Sequence, residues 1–172
     1  MKKMGFTHES SANESKEWYT PPRIFDAIGL PFDVDVASPG ASVVPWIPAM
    51  RHITAKENGL CSPWHGRVWL NPPYGSDTPR WVARFAEHDR DDGGLMLVFA
   101  RTDTAWFHDH ADAFDAVLFI RGRISFIRGD GFVGGGCGAA SMLLARGEEC
   151  AGALRRCGLG LFISLSLNRV GS

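Results

Sequence analysis

The run "GGLMLVFA" at residues 93–100 constrains the fold more than any other segment of the chain. A strand with one wet face alternates apolar and polar side chains, so an uninterrupted apolar run bounded by glycines reads as a strand covered on both faces. Such a strand needs layers of helix above and below it. "PFDVDVAS", "RVWL", "AVLFI", "RISFI", "AASMLLA" and "LFISLSL" read as further strands, with a short one near Ile53. Helical signals separate several of them. In "TPPRIFDAIG", Pro21 and Pro22 start a helix, Ile24, Phe25 and Ile28 share a face, and Gly29 stops it. Thr78 caps a second helix with Pro79 in its first turn and Trp81, Val82 and Phe85 on one side. "DTAWFHDHADAF" and "EECAGALRRCG" supply two more. The alternation predicts an α/β sheet with helices on both sides, mostly parallel, with an antiparallel hairpin at the edge formed after residue 115.

With 172 residues the chain is expected to form a single domain over 18–172, preceded by an arm, 1–17, too poor in aromatic and branched apolar residues to be other than flexible. A net charge of −1 offers no global positive field, so a nucleic-acid partner would have to be held by a local basic patch. Cys61, Cys137, Cys150 and Cys157 form no CxxC pair and no Cys/His ligand spacing, so neither a zinc site nor a disulfide framework is expected. Reduced thiols and a polar start predict a cytoplasmic protein, of a bacterium or a phage-infected host cell. His108 and His110, two apart on a helix, point to different faces and do not form a metal site. "GDGFVGGGCG" lacks the Lys-Ser/Thr ending of a P-loop and reads as a mobile hairpin loop.

The strand "RVWL" runs directly into "NPPYG", residues 71–75. Two prolines end the strand, because they remove two backbone donors and fix two φ angles. They also present carbonyl oxygens that are held still. Asn71 adds a side-chain oxygen and Tyr74 an aromatic face, at the carboxyl end of a strand where open α/β sheets bind ligands. This set suits a planar group bearing an NH₂, with oxygens on the N–H bonds and the ring against Tyr74. If that nitrogen attacks an electrophile it becomes positive, and fixed oxygens favour the charged state over the neutral one.

"NPPY" after a strand resembles motif IV of S-adenosylmethionine-dependent amino-methyltransferases. "EWYTPPRIFDAIG", "FDVDVAS", "ENGLCSPWHGRVWLNPPYG", "ARTDTAWFH" and "RGRISF" follow the order of the phage-type DNA N6-adenine methyltransferase (Dam) family, over nearly the whole chain. The resemblance implies a three-layer Rossmann-like methyltransferase fold, S-adenosylmethionine as cofactor, and double-stranded DNA as partner. It implies that Asn71 and the Pro72 carbonyl hold the amine, Pro73 shapes the turn and Tyr74 stacks on the base. "WYTPP" resembles motif X, which puts Trp18, Tyr19, Thr20 and Pro21 beside the cofactor. The end of "FDVDVAS" takes the place of motif I, with Asp35 for the cofactor's amino group and Ala37 and Ser38 beside it, although Gly40 is the sole glycine of that turn. Either Glu57 or Asn58 would serve the ribose hydroxyls.

A base inside a duplex must be flipped to reach such a site. Tyr74, and Trp106 if it is not core, would replace the lost stacking. Arg80, Arg101, Arg121 and Arg123, with Arg84 and Arg128, are the candidate phosphate contacts. Transfer to RNA or protein glutamine, and a non-catalytic DNA-binding remnant, are the competing readings. Protection of viral or mobile DNA, as in restriction-modification, would suit the resemblance.

Overall fold

The computed structural model describes residues 18–128 and 139–165. The expected arm at 1–17 and the glycine-rich loop with Cys137 lie outside the described residues.

Helix α1 (Pro22–Ile28) follows Pro21, and proline at the first helical position sacrifices an N–H that has no intrahelical partner anyway. It ends at Gly29, whose φ of 67° is left-handed and whose N–H bonds to the Phe25 carbonyl at 2.9 Å. Four strands then run parallel in the spatial order β3 (Ala49–Thr54), β2 (Phe32–Ser38), β4 (Val68–Leu70), β5 (Gly94–Phe99). Helix α2 (Thr78–Glu87) links β4 to β5. Its N-cap is Asp77, one residue before the predicted cap, and the Thr78 hydroxyl accepts from Gly75 N–H at 3.3 Å.

Beyond β5 the sheet departs from expectation. After β5, helix α3 (Ala105–His110) precedes β6 (Ala116–Ile120), but β6 does not pair with β5. The later strand β8 (Ser141–Arg146) lies between them, antiparallel to both, and β9 (Gly160–Ser164) adds antiparallel outside β6. The seven-stranded sheet is therefore mixed, with order β3-β2-β4-β5-β8-β6-β9, rather than mostly parallel with a hairpin at one edge. Apolar periodicity marks a buried strand but carries no direction, so the reversal of β8 was invisible to it. Nor is "RISFI" a strand of this sheet. Ile124 and Phe126 are buried, but only β7 (Ile127–Arg128) is extended in pairing, and it joins β1 (Trp18–Tyr19) in a separate two-stranded antiparallel sheet.

Alternating side chains split the core into two layers around the sheet. Phe32, Trp69, Leu95 and Leu97 face α1 and α4 (Glu148–Arg156), where Phe25 meets the Trp69 ring edge-on at 4.7 Å. Val34, Val36, Val68, Leu70, Met96 and Val98 face Trp81, Val82 and Phe85 of α2. Close approach demands glycine at 59, where a Cβ would fall 1.9 Å from the Val36 carbonyl oxygen. The chain from β3 to β4 is thereby drawn against the sheet, and the carboxyl ends of β2, β3, β4 and β5 open onto one rim.

Candidate active site

Strand β4 ends at Leu70, fully buried, and the next four residues turn outward: Asn71 half-buried, Pro72 buried, Pro73 exposed, Tyr74 half-buried. Asn71 Nδ2 donates to the Trp18 carbonyl at 3.0 Å, and its Oδ1 accepts from the Tyr74 hydroxyl at 3.3 Å. Trp18, paired with Arg128 between β1 and β7, is thereby held at the end of β4. The amide is thus oriented from both sides, with its oxygen keeping capacity for a further donor.

These residues wall a cavity of about 470 Å³, together with Tyr19, Ser38, Pro39, Thr54 and Lys56. A volume of that size falls within the roughly 300–1,000 Å³ of small-molecule sites. Pro73, Thr54 and Ala55 also border a smaller hollow of about 230 Å³ with Ala37, Asn58, Leu60 and Trp81. On its other side Tyr74 lines a third space, about 400 Å³, with Phe99, Arg101, Thr104 and Trp106. Tyr74 is stacked on Phe99, a partner that sequence reasoning missed.

The structure brings Trp18, Tyr19, Ser38 and Asn71 to Tyr74 into one cavity, and Ala37 and Asn58 into the adjoining hollow. It does not bring the remaining cofactor candidates there. Thr20 is buried with its hydroxyl unpartnered among the described residues, its carbonyl accepting from Trp46 Nε1 at 2.9 Å, and Pro21 caps α1. Asp35 is 2% exposed and faces His52, with Oδ2 3.7 Å from Nδ1. Glu57 turns away from the cavity: its carboxylate accepts from Thr54 N–H and Oγ1 and meets Arg51, and the Thr54 bonds hold its pKa below the usual glutamate value. Among the described residues the charged residue on the cavity wall is Lys56, which was not anticipated.

Arg101, Arg121 and Arg123 are exposed where β5 and β6 end, and their side chains make no ion pair among the described residues. Arg80 pairs with Asp77 at 3.3 Å on the surface. Arg84 is a clamp within the fold, bonded to the Leu60 and Ser62 carbonyls and lying 4.7 Å over the Trp64 ring. Arg128 is half-buried in β7. Trp106 is half-buried on the third space, between its two expected roles. Among the described residues no cluster of His, Cys, Asp and Glu could hold a metal, and no helix is long and apolar enough to cross a membrane.

An asparagine-proline-proline-tyrosine turn lies on a cavity at the carboxyl ends of parallel strands. The family model described as DNA N-6-adenine-methyltransferase (Dam) matches residues 8–145. The chain belongs to this family. Comparison with curated proteins and with solved structures gave no match.

Proposed function

We propose that the protein is a site-specific DNA methyltransferase that transfers a methyl group from S-adenosylmethionine to the N6 amine of adenine, on a Rossmann-like parallel half-sheet. The observation that carries this reading is the doubly held Asn71 amide, with its oxygen set beside Tyr74 on the cavity wall. The donor set fits the cofactor: aromatic faces at Trp18 and Tyr19 suit a sulfonium cation, and Ser38 and Lys56 suit its polar groups. When bound, the cofactor supplies an electrophilic methyl group.

The protein's own contribution is positional and electrostatic. Asn71 Oδ1 accepts one N–H of the target amine, and the Pro72 carbonyl takes the other. As the nitrogen turns tetrahedral and positive, these fixed oxygens stabilise it more than the neutral amine. No side-chain base has to act first, because the proton leaves after transfer. Tyr74 supports the plane of the flipped base, and Arg101, Arg121 and Arg123 hold the backbone around it.

The test is transfer of labelled methyl to unmethylated duplex DNA, to RNA and to a glutamine-containing peptide, followed by nucleoside analysis of the DNA. N6-methyladenine in DNA alone is the expected result. Label in RNA or peptide instead would replace the substrate, and label in none would leave a DNA-binding remnant.

A further inference from the structure

Ser38 closes β2 with only 4% of its surface exposed, yet it forms part of the cavity wall. Its Oγ lies 2.8 Å from His52 Nδ1 and accepts the Gly40 N–H at 3.0 Å. Asp35 Oδ2 is 3.7 Å from the same ring nitrogen, while Asp35 Oδ1 accepts from Ala37 N–H at 3.3 Å. Parallel pairing sets this up, since Asp35 and His52 are register partners on β2 and β3. A carboxylate beside one imidazole nitrogen favours the proton on that nitrogen. With the proton on Nδ1, His52 donates to Ser38. The serine oxygen then accepts from both His52 and Gly40, which uses both of its lone pairs, and a hydroxyl so placed has only its own proton left to give. Ser38 itself lies on the cavity wall.

Lys56, two residues past the Ser38 partner Thr54, is the charged residue on the same wall, which carries no carboxylate among the described residues. Two donors and no acid make this part of the cavity a place for an anionic oxygen. On the reading above, the ligand has one such group.

We propose that Ser38, oriented by Asp35 through His52, donates its hydroxyl proton to the carboxylate of the cofactor's amino-acid portion, with Lys56 as the counter-charge. This rests on the cofactor assignment just made. Asp35 and His52 are then positioning residues, and Asp35 does not hold the cofactor's amino group directly.

Calorimetry of the full chain with S-adenosylhomocysteine, and with 5′-methylthioadenosine, which lacks the amino-acid portion, separates the possibilities. Ser38→Ala is expected to weaken the homocysteine ligand by roughly tenfold or more, the effect of losing a hydrogen bond to a charged group, and to leave methylthioadenosine unchanged. His52→Ala should show the same selective loss. His52→Asn, whose side-chain N–H can stand near Nδ1, should restore binding. Lys56→Met, on an exposed side chain, carries the test if Ser38→Ala does not fold, again with selective loss expected. Equal loss for both ligands, no loss for Lys56→Met, or no rescue by His52→Asn overturns the inference. Binding of neither ligand by the unaltered protein overturns instead the cofactor reading on which it stands.

Discussion

Tyr74 lies flat against Phe99, with ring centroids 3.8 Å apart and planes 9° from parallel. Phe126 closes on the same ring edge-on at 6.5 Å. The tyrosine is therefore a fixed partition between the cavity at Asn71 and the space at Trp106, with one face already covered. On the function proposed above, a flipped base would have only the other face unless Phe99 moves. Phe99→Leu keeps apolar volume but removes the stack, an interaction worth about 0.5–1.5 kcal/mol beyond its area, so turnover should fall roughly 2–10-fold. Methyl-transfer rates with a parallel melting curve check this, and unchanged turnover would mean that Phe99 has no part in holding Tyr74.

Asn71 accepts from Tyr74 and donates to Trp18 with the two ends of one amide, so its truncation removes the oriented oxygen without emptying a core site. Asn71→Ala is expected to lose on the order of 10²–10³ in turnover, as for one preorganised polar contact in comparable sites. Circular dichroism should stay that of the parent. Full activity in the alanine variant would remove Asn71 from the mechanism.

Much of this site was legible because prolines and strand ends are local signals. The turn at 71–74 and the burial of β5 each follow from residues that sit together in the chain. What stayed hidden depends on neighbours in space. The resemblance of the end of "FDVDVAS" to motif I implied a cofactor-binding Asp35, whereas parallel register puts His52 beside that carboxylate. Lys56 and Glu57 are consecutive loop charges; the Thr54 bonds hold the Glu57 carboxylate, and Lys56 is the one that lines the cavity. In "RISFI", Ile124 and Phe126 are core residues without sheet pairing, so apolar content gave the burial and not the element.

The arginines divide by what already occupies them. Arg101, Arg121 and Arg123 are exposed and without ion pairs among the described residues, so alanine at each should weaken all duplex sequences alike and lower the slope of log affinity against log salt by about one. Arg80, held by Asp77, should change affinity less. Fluorescence anisotropy at several salt concentrations measures both, and an effect confined to one DNA sequence would count against phosphate contact.

Two thiols should differ sharply. Burial pushes the Cys150 pKa up to about 11, with Arg67 nearby offsetting part of the effect, whereas Cys61 is exposed. Because the thiolate is the reactive form, iodoacetamide at about pH 8 should modify Cys61 in the native protein and reach Cys150 only after unfolding. Peptide mass spectrometry reads out each site. Equal native labelling would contradict the burial of α4 against the sheet.

His88 gives the protein a pH dependence with a definite sign. Its side chain is buried beside Trp64, with Nε2 3.0 Å from the Gly66 carbonyl, so a neutral ring donates there. Burial lowers its pKa below 6.5, assisted by Arg146 and opposed by the Gly66 bond and by Asp92 and Asp89. Between the folded pKa and the unfolded value near 6.5, the unfolded chain binds more protons, and stability therefore rises with pH across that window. Acidification from about pH 7 should cost stability until the folded pKa is passed, after which this contribution is flat. His88→Gln can keep an N–H toward Gly66 without titrating, so the melting temperature of the parent should fall relative to the variant as pH drops from about 7 to about 5. Other carboxylates titrate in both proteins and cancel in the difference. Parallel pH profiles for the two proteins would show that His88 folds with its charge state unaltered, against the burial that the Trp64 contact implies.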